Sequence, residues 1–279
     1  MNGIVVGVDE SPSAQTALRW AHAYGQRRDQ PVTAVMAWDY IAQHHADTKT
    51  FDPAYSPEMA EEELGKLVAR AVGDDHGVTL QAVLDKVEPA LHAASTTADL
   101  LVVGARGVGG FRGLLLGSVS RWVLHHAECP VAVVRGDEVA LDGPVVVGVN
   151  GSDHSLRALR WAADYAADAG LRLVVVWAWQ IAIVGGPFYP VAVDFESAAK
   201  DAVDALARTV TEAGIEGVDV EQLPVEGQPA AQLLGAADNA HASLIVVGAR
   251  GATGIAGALL GSVSDQVVHH AKVPVVVVP

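Results

Sequence analysis

Apolar and polar positions along this chain follow two patterns: short runs that are apolar throughout, and longer stretches that are apolar on one side. Ile4–Val8 is the first short run, β-branched, punctuated by Gly7 and closed by Asp9. Ser11 then offers a helix N-cap with Pro12 at the first helical position. Apolar residues recur at Ala14, Ala17, Leu18 and Ala21, the spacing of a helix packed on one side. Pro31–Trp38 reads as a second strand. Ser56-Pro57-Glu58 opens a second helix, with Glu58, Glu61 and Glu62 suited to its positive end. Val78–Val83 reads as a third strand, Pro89–Thr97 as a short helix and Leu100–Val103 as a fourth, wholly apolar strand. A helix from Ser118 is expected to turn Val119, Val123 and Ala127 inward, before a fifth strand at Val131–Val134. Strands apolar on both faces and separated by helices predict an α/β fold with a parallel sheet covered on both sides.

The pattern is then written again. "IVVGVDESPSAQTALRWA" at 4–21 returns as "VVVGVNGSDHSLRALRWA" at 145–162, and "TAVMAWDY" at 33–40 as "LVVVWAWQ" at 173–180. Residues 100–135 align with 244–279 without gaps, with 23 identities in 36 positions. A period of about 140 residues is a whole domain rather than a solenoid unit. Two tandem doubly wound, Rossmann-like domains are expected, at 1–137 and 144–279, joined through the polar segment 135–143. The helix after the third strand is about a turn longer in the second copy, because Pro229 to Ala242 is four residues longer than Pro89 to Ala98.

Composition narrows the partners. Eighteen Lys and Arg against 33 Asp and Glu give a formal charge of −15, which disfavours nucleic acid and anionic lipid as partners. An anionic ligand must therefore be held by a local site. One cysteine, Cys129, permits no intrachain disulfide, and the N-terminus reads directly into a strand; both fit a cytoplasmic protein. The most membrane-like stretch, 173–193, is broken by Gln180, Gly185-Gly186-Pro187 and Pro190, and reads as a strand followed by an apolar loop.

The candidate chemistry lies in "VVGARGVGGFRGLLLGSVS", residues 102–120, and its copy "VVGARGATGIAGALLGSVS" at 246–264. The spacing Gly104-x2-Gly107-x9-Gly117-Ser118 recurs as Gly248-x2-Gly251-x9-Gly261-Ser262. It follows an apolar strand and precedes a helix, where backbone N–H groups and the helix dipole receive anions. In parallel α/β sheets, ligands bind beyond the carboxyl ends of the strands. On this duplicated string, the opening "VVGVD-x-S" and the mid-domain "AW" strand end, the chain resembles the universal stress protein family in its tandem form, over nearly the whole length.

The resemblance implies a five-stranded parallel sheet of order 3-2-1-4-5 in each domain, ATP as ligand with Mg²⁺, and pairing through the fifth strands, 131–134 and 275–278, within the chain or as a homodimer. By that resemblance Gly104, Gly107, Gly117, Ser118 and Val119 would hold the phosphates, with Arg106 a candidate contact. Asp9 would lie near the ribose and Ala37 near the adenine edge. The second copy supplies Gly248, Arg250, Gly251, Gly261, Ser262, Val263, Asn150 and Ala178. Two swaps, Asp9 to Asn150 and Arg112 to Ala256, predict a first site stronger than the second.

The other candidates read more plainly. His125-His126 and His269-His270 fall near helix ends, where imidazolium is favoured, and adjacent helical residues point about 100° apart, too far for one metal. No metal site is assigned. His44-His45 reads as a solvated loop, Cys129 as a small buried residue, and Trp20, Trp38, Trp161 and Trp179 as core or pocket wall. No Walker-type lysine loop and no duplicated nucleophile or carboxylate cluster accompanies the glycines, so no catalytic residue is assigned. The expected role is a nucleotide-dependent stress or regulatory switch with a protein partner the sequence does not name. The alternatives are a slow ATPase or adenylyl-transferring enzyme in the same pocket, and a cyclic-AMP-binding or nucleotide-free interaction module. Loops 41–57 and 181–193 differ most between the halves and are expected to serve a partner or lid.

Overall fold

The computed structural model describes residues 3–38, 44–45, 48–49, 55–75, 77–108, 116–136, 139–180, 194–251 and 260–279. They divide by packing into two units. The first comprises Met1–Leu141 with Lys272–Val277 and Pro279, the second Asp142–Ala271 with Val278.

In the first unit, β1 (Ile4–Gly7) pairs in parallel with β2 (Val32–Trp38) on one side and β6 (Leu100–Gly104) on the other. Outside these lie β5 (Thr79–Leu84), parallel to β2, and β7 (Val131–Val134), parallel to β6. Counting these five in chain order gives 3-2-1-4-5, the expected arrangement. β12 (Val275–Val278) completes the unit by running antiparallel to β7, with Val276 opposite Ala132. Two two-residue strands, β3 (His44–His45) and β4 (Thr48–Lys49), pair antiparallel apart from this sheet.

Four helices cover the faces. α1 (Pro12–Arg28) and α2 (Pro57–Val72) pack together, as do α3 (Val87–Ser95) and α4 (Ser118–His126). Ser11 caps α1, its hydroxyl accepting from the Ala14 N–H at 3.1 Å, with Pro12 in the first turn. The expected inward face, Ala14, Ala17, Leu18 and Ala21, is buried, and Trp20 and Tyr24 join it at 0% and 2% exposure. α3 begins at Val87, two residues before the expected Pro89, since Pro89 is tolerated where no intrahelical N–H bond is needed. In α4 the buried residues are Ser120, Val123 and Leu124; Val119 is only half-buried. The expected inward Val119 is thus replaced by Ser120, whose hydroxyl donates to the Gly104 carbonyl at 2.6 Å and loses no hydrogen bond on burial.

The second unit repeats the design. β8 (Val145–Gly148) lies parallel between β9 (Leu173–Trp179) and β11 (Leu244–Gly248), and β10 (Val220–Glu226) lies outside β9. α5 (Asp153–Ala169) packs with α6 (Phe195–Ala213), and α7 (Pro229–Ala240) with α8 (Ser262–His270). α7 has 12 residues against 9 in α3, so the longer helix of the second copy is realised. Residues 173–179 of the most apolar stretch are a sheet strand, and no described helix is long and apolar enough to cross a membrane.

Candidate functional site

Each unit carries a cavity at the carboxyl ends of its first and fourth strands. In the first it measures about 280 Å³ and is bounded by the ends of β1, β2 and β6, the apolar face of the first two turns of α3 at Val87 and Leu91, and the start of α4. Asp9, Ala37, Gly104, Arg106, Gly107, Gly117, Ser118 and Val119 all line it. In the second it measures about 450 Å³ and gathers Asn150, Ala178, Gly248, Arg250, Gly251, Gly261, Ser262 and Val263, with Pro229 and Leu233 of α7 as its apolar wall. The sixteen positions selected from sequence therefore fall together in two cavities. Arg112 and Ala256 lie outside the described residues.

The glycines have different reasons to be glycine. A Cβ on Gly104 would stand 2.6 Å from the Ser13 carbonyl carbon, so the end of β6 meets the first turn of α1 too closely for any side chain. A Cβ on Gly107 would stand 2.8 Å from Asp9 Oδ2. At Gly117 it would meet only ordinary contacts at 3.5 Å, and the backbone there (φ −74°, ψ 162°) suits any residue. Backbone packing thus explains Gly104, the Asp9 carboxylate crowds Gly107, and Gly117, which faces the cavity, is left without a packing reason.

The start of α4 is built bare. Its N-cap is Gly117 and no side chain caps it, as at Lys86 of α3 and Gln228 of α7, whereas Ser11, Ser56, Ser152 and Asp194 cap α1, α2, α5 and α6. The first N–H groups of a helix have no intrahelical partner, so those of Ser118, Val119 and Ser120 open the helix toward the cavity. The Gly117 N–H, expected among the phosphate donors, instead donates to the Ala105 carbonyl at 2.8 Å and closes the loop on itself. α8 repeats every part of this: Gly261 as N-cap, its N–H on the Ala249 carbonyl at 2.7 Å, and Ser264 Oγ on the Gly248 carbonyl at 2.6 Å.

Around the first cavity the loop is tied to α1. Arg106 donates its N–H to Ser13 Oγ at 3.2 Å, and its carbonyl accepts from Ser11 Oγ at 3.2 Å. The Asp9 carboxylate accepts from the Ser11 N–H (2.9 Å) through one oxygen and the Val108 N–H (3.1 Å) through the other. Asn150 behaves differently: its single amide oxygen accepts from the Ser152 N–H at 3.1 Å and hydroxyl at 2.7 Å. In both halves one side-chain oxygen thus serves the helix cap, while the second terminal atom, Asp9 Oδ2 in one and Asn150 Nδ2 in the other, faces the glycine loop at Gly107 and Gly251.

Sequence reasoning missed two sets of contributors and one charged neighbour of the loop. Ser120 and Ser264, the second serine of each "GSVS", brace the helix start. Val87, Leu91, Pro229 and Leu233 supply apolar walls, and their i, i+4 spacing is the signal that could have found them. Arg135 follows β7 level with the loop, since Val134 opposes Gly104 and accepts the Ala105 N–H at 2.9 Å. Burial, then the neighbouring Arg106 charge, push the Arg135 guanidinium below its usual range. At the second site His154 takes the place of Ser13; burial, then the charges of Arg157 and Arg250, lower its imidazole below its usual range, with Asp153 acting the other way.

The remaining candidates stand apart from the cavities. His126 closes α4, stacked on Trp122 at 4.1 Å with its Nδ1 2.8 Å from the Trp122 carbonyl. His269 Nδ1 lies 2.7 Å from the Asp265 carbonyl in the last turns of α8. Cys129 is buried and its thiol is pushed up to about 11, chiefly by that burial. Trp20 and Trp38 are buried, but Trp161 and Trp179 are half-exposed.

Two doubly wound units, each with a cavity between a glycine edge and a bare helix start, define a tandem Rossmann-like α/β protein. A family model described as the universal stress protein family matches residues 1–135 and 143–279. The chain is 36% identical over 290 residues to a universal stress protein of Mycolicibacterium smegmatis, spanning 99% of this chain and 96% of that one. It is 33% identical over 296 residues to universal stress protein Rv2005c of Mycobacterium tuberculosis, with 99% and 96% covered. The chain belongs to the universal stress protein family, in its tandem form. Its fold matches the crystal structure of a universal stress protein from Archaeoglobus fulgidus with a TM-score of 0.69 at 22% identity, over 99% of this chain and 97% of that one.

Proposed function

We propose that each half binds one adenine nucleotide, ATP with Mg²⁺, and that the protein is a cytoplasmic, nucleotide-dependent regulatory switch rather than a catalyst. The observation that carries this reading is the bare helix start behind Gly117 and Gly261, repeated in both halves in front of a cavity. Oriented N–H groups at such a place favour a phosphate. In this reading Ser118, Val119 and Arg106 take the phosphates, Asp9 the ribose hydroxyls, and the strand end at Ala37 the adenine edge. Ser262, Val263, Arg250, Asn150 and Ala178 do so in the second half. Mg²⁺ enters on the phosphates, because among the described residues no group of three His, Cys, Asp or Glu side chains gathers to hold it.

Three observations favour holding ATP over consuming it and rank the two sites. Among the described lining residues the ionisable side chains are Asp9 and Arg106 in one cavity and Arg250 in the other. Both oxygens of Asp9 already accept N–H groups, which disfavours it as a general base. The first site binds ATP more tightly, because Asp9 pins the loop at Val108 before the ligand arrives, and preorganisation lowers the ordering cost of binding.

The test is mass spectrometry of the denatured, freshly purified chain, followed by timed analysis of added nucleotide. Retained, unhydrolysed ATP supports the switch. Sustained release of ADP or AMP transfers the site to a slow ATPase or adenylyl-transferring enzyme. Recovery of cyclic AMP, or of no nucleotide with no binding on titration, overturns the ATP reading.

A further inference from the structure

The two cavities present opposite hydrogen-bonding chemistry at one matched position, just beyond the first strand of each half. Asp9 and Asn150 both line their cavities, and each gives one oxygen to the N–H two residues on, Ser11 at 2.9 Å and Ser152 at 3.1 Å. That bond fixes which way the Asn150 amide is turned, because only its oxygen can accept an N–H. The other end, Nδ2, therefore carries two donors. It faces the glycine loop, 3.2 Å from where a Cβ on Gly251 would stand, and among the described residues it donates to none. In the first half the matching atom is Asp9 Oδ2, 2.8 Å from the same point on Gly107. It is an acceptor, and it takes the Val108 N–H.

Charge changes together with the donors. Among the described lining residues the first cavity sets Asp9 against Arg106, whereas the second holds Arg250 and no carboxylate. The second is also the roomier, about 450 Å³ against about 280 Å³. A carboxylate beside a sugar accepts from its free hydroxyls and repels a phosphate ester on it. Nucleotide sites in related folds that take a phosphorylated ribose offer a positive charge there instead. An amide with free donors, in a cavity with a guanidinium and no carboxylate, is of the second kind.

We infer that the second cavity takes adenine nucleotides whose ribose carries a phosphate ester, and that Asn150 admits the ester there while Asp9 excludes it from the first. The inference rests on the nucleotide reading of the cavities, in which Asp9 and Asn150 face the ribose. The Asn150 donors meet the ester oxygens, the Arg250 charge offsets the added anion, and the bare start of α8 receives the 5′-phosphates. The first cavity, with its carboxylate, keeps to nucleotides with free hydroxyls. The two halves then sample different members of one nucleotide class.

The test uses full-length protein carrying Ser118→Asp, which places a carboxylate at the first helix start and blocks that site. Titration calorimetry at pH 8.0, where phosphate monoesters are fully ionised, compares ADP with adenosine 3′,5′-bisphosphate and adenosine 2′,5′-bisphosphate. These carry the same two phosphates, differently placed. The protein is titrated with Asn150 in place and as Asn150→Asp and Asn150→Ala. The aspartate can keep the cap bond, since Asp9 makes the same bond in the first half. With Asn150 in place, at least one bisphosphate should bind as tightly as ADP or more so, and the isomer that does so tells a 2′-ester from a 3′-ester. Asn150→Asp should cut bisphosphate affinity at least about tenfold more than ADP affinity, because it sets like charges face to face. Asn150→Ala should lower the same ratio by less. The converse protein, Ser262→Asp with Asp9 intact, should bind ADP and refuse both bisphosphates. Bisphosphates far weaker than ADP with Asn150 in place, or variants that change all three ligands by one factor, overturn the role of Asn150 and leave the nucleotide reading standing. No binding of ADP or ATP to these proteins, nor to the unmodified chain, overturns both.

Discussion

Two glycines separated by a strand-to-helix loop carry opposite duties. Alanine at Gly104 puts a methyl 2.6 Å from the Ser13 backbone, so α1 or β6 must move. Overpacking of that kind costs about 1–3 kcal/mol, and Gly104→Ala should lower the urea midpoint accordingly. Gly117→Ala meets contacts of 3.5 Å on a backbone any residue adopts. Its stability should stay within about 0.5 kcal/mol of the parent while ATP affinity at the first site falls, as read by calorimetry. A Gly117→Ala protein that binds ATP normally would remove the main support for the phosphate assignment. The lone thiol gives a further check. Cys129 is buried and its thiol is held up to about 11, so thiolate is scarce near neutrality. An aromatic disulfide reagent at pH 7.5 should label it only at the rate of unfolding, and rapid labelling of native protein would contradict its placement.

His154 also sets a stability trend. Its folded-state proton affinity is below that of a free imidazole, so the folded chain binds fewer protons than the unfolded one. Its contribution is present above the unfolded pKa of about 6.5 and is lost as the pH falls below it. Without nucleotide, His154→Ser should lose less of its denaturant midpoint than the parent between pH 7.5 and 5.

At the scale of elements, capping and packing were legible to different degrees. Ser11 with Pro12, and Ser56 with Pro57, marked two helix starts because a cap is a local hydrogen bond between neighbours in sequence. The true start of α3 was not legible, because Lys86 supplies no side-chain cap. Nor was the inward turn of Ser120, since its partner is the carbonyl of Gly104, sixteen residues earlier. Ser11 now has two roles, capping α1 and holding the Arg106 carbonyl. Ser11→Ala should cost about 1 kcal/mol of stability and, unlike a simple cap loss, weaken ATP binding at the first site. Unchanged ATP binding would confine Ser11 to the helix.

For the whole molecule, the antiparallel ladder of β7 and β12 is the feature with the widest consequence. It covers the apolar edge Val131–Val134, which would otherwise present unpaired backbone groups to other chains. Removing residues 272–279 should expose that edge and produce concentration-dependent self-association in light scattering. A truncated chain that stays monodisperse and fully stable would show that β12 is dispensable. Nucleotide should stabilise the intact chain by about 2.7 kcal/mol per site at one hundred times its dissociation constant. The blocking substitutions Ser118→Asp and Ser262→Asp should each remove one such increment in thermal unfolding.

The sequence by itself determined the α/β class, the duplication, the 3-2-1-4-5 order through its resemblance to a family, and the sixteen positions that meet at two cavities. These are legible because strand runs, helix periodicity and glycine spacing are local, and because writing them twice separates pattern from accident. Only the tertiary structure decided what each glycine is for, which N–H groups the loop consumes, and which neighbours set the sites apart. Ser13 is an ordinary first-turn residue until β6 brings Arg106 beside it. Asp9 and Asn150 both serve a helix cap two residues on, yet only the fold brings the Asp9 carboxylate to the Val108 N–H, ninety-nine residues away. Such differences arise from contacts across roughly one hundred residues of chain, which no local pattern records.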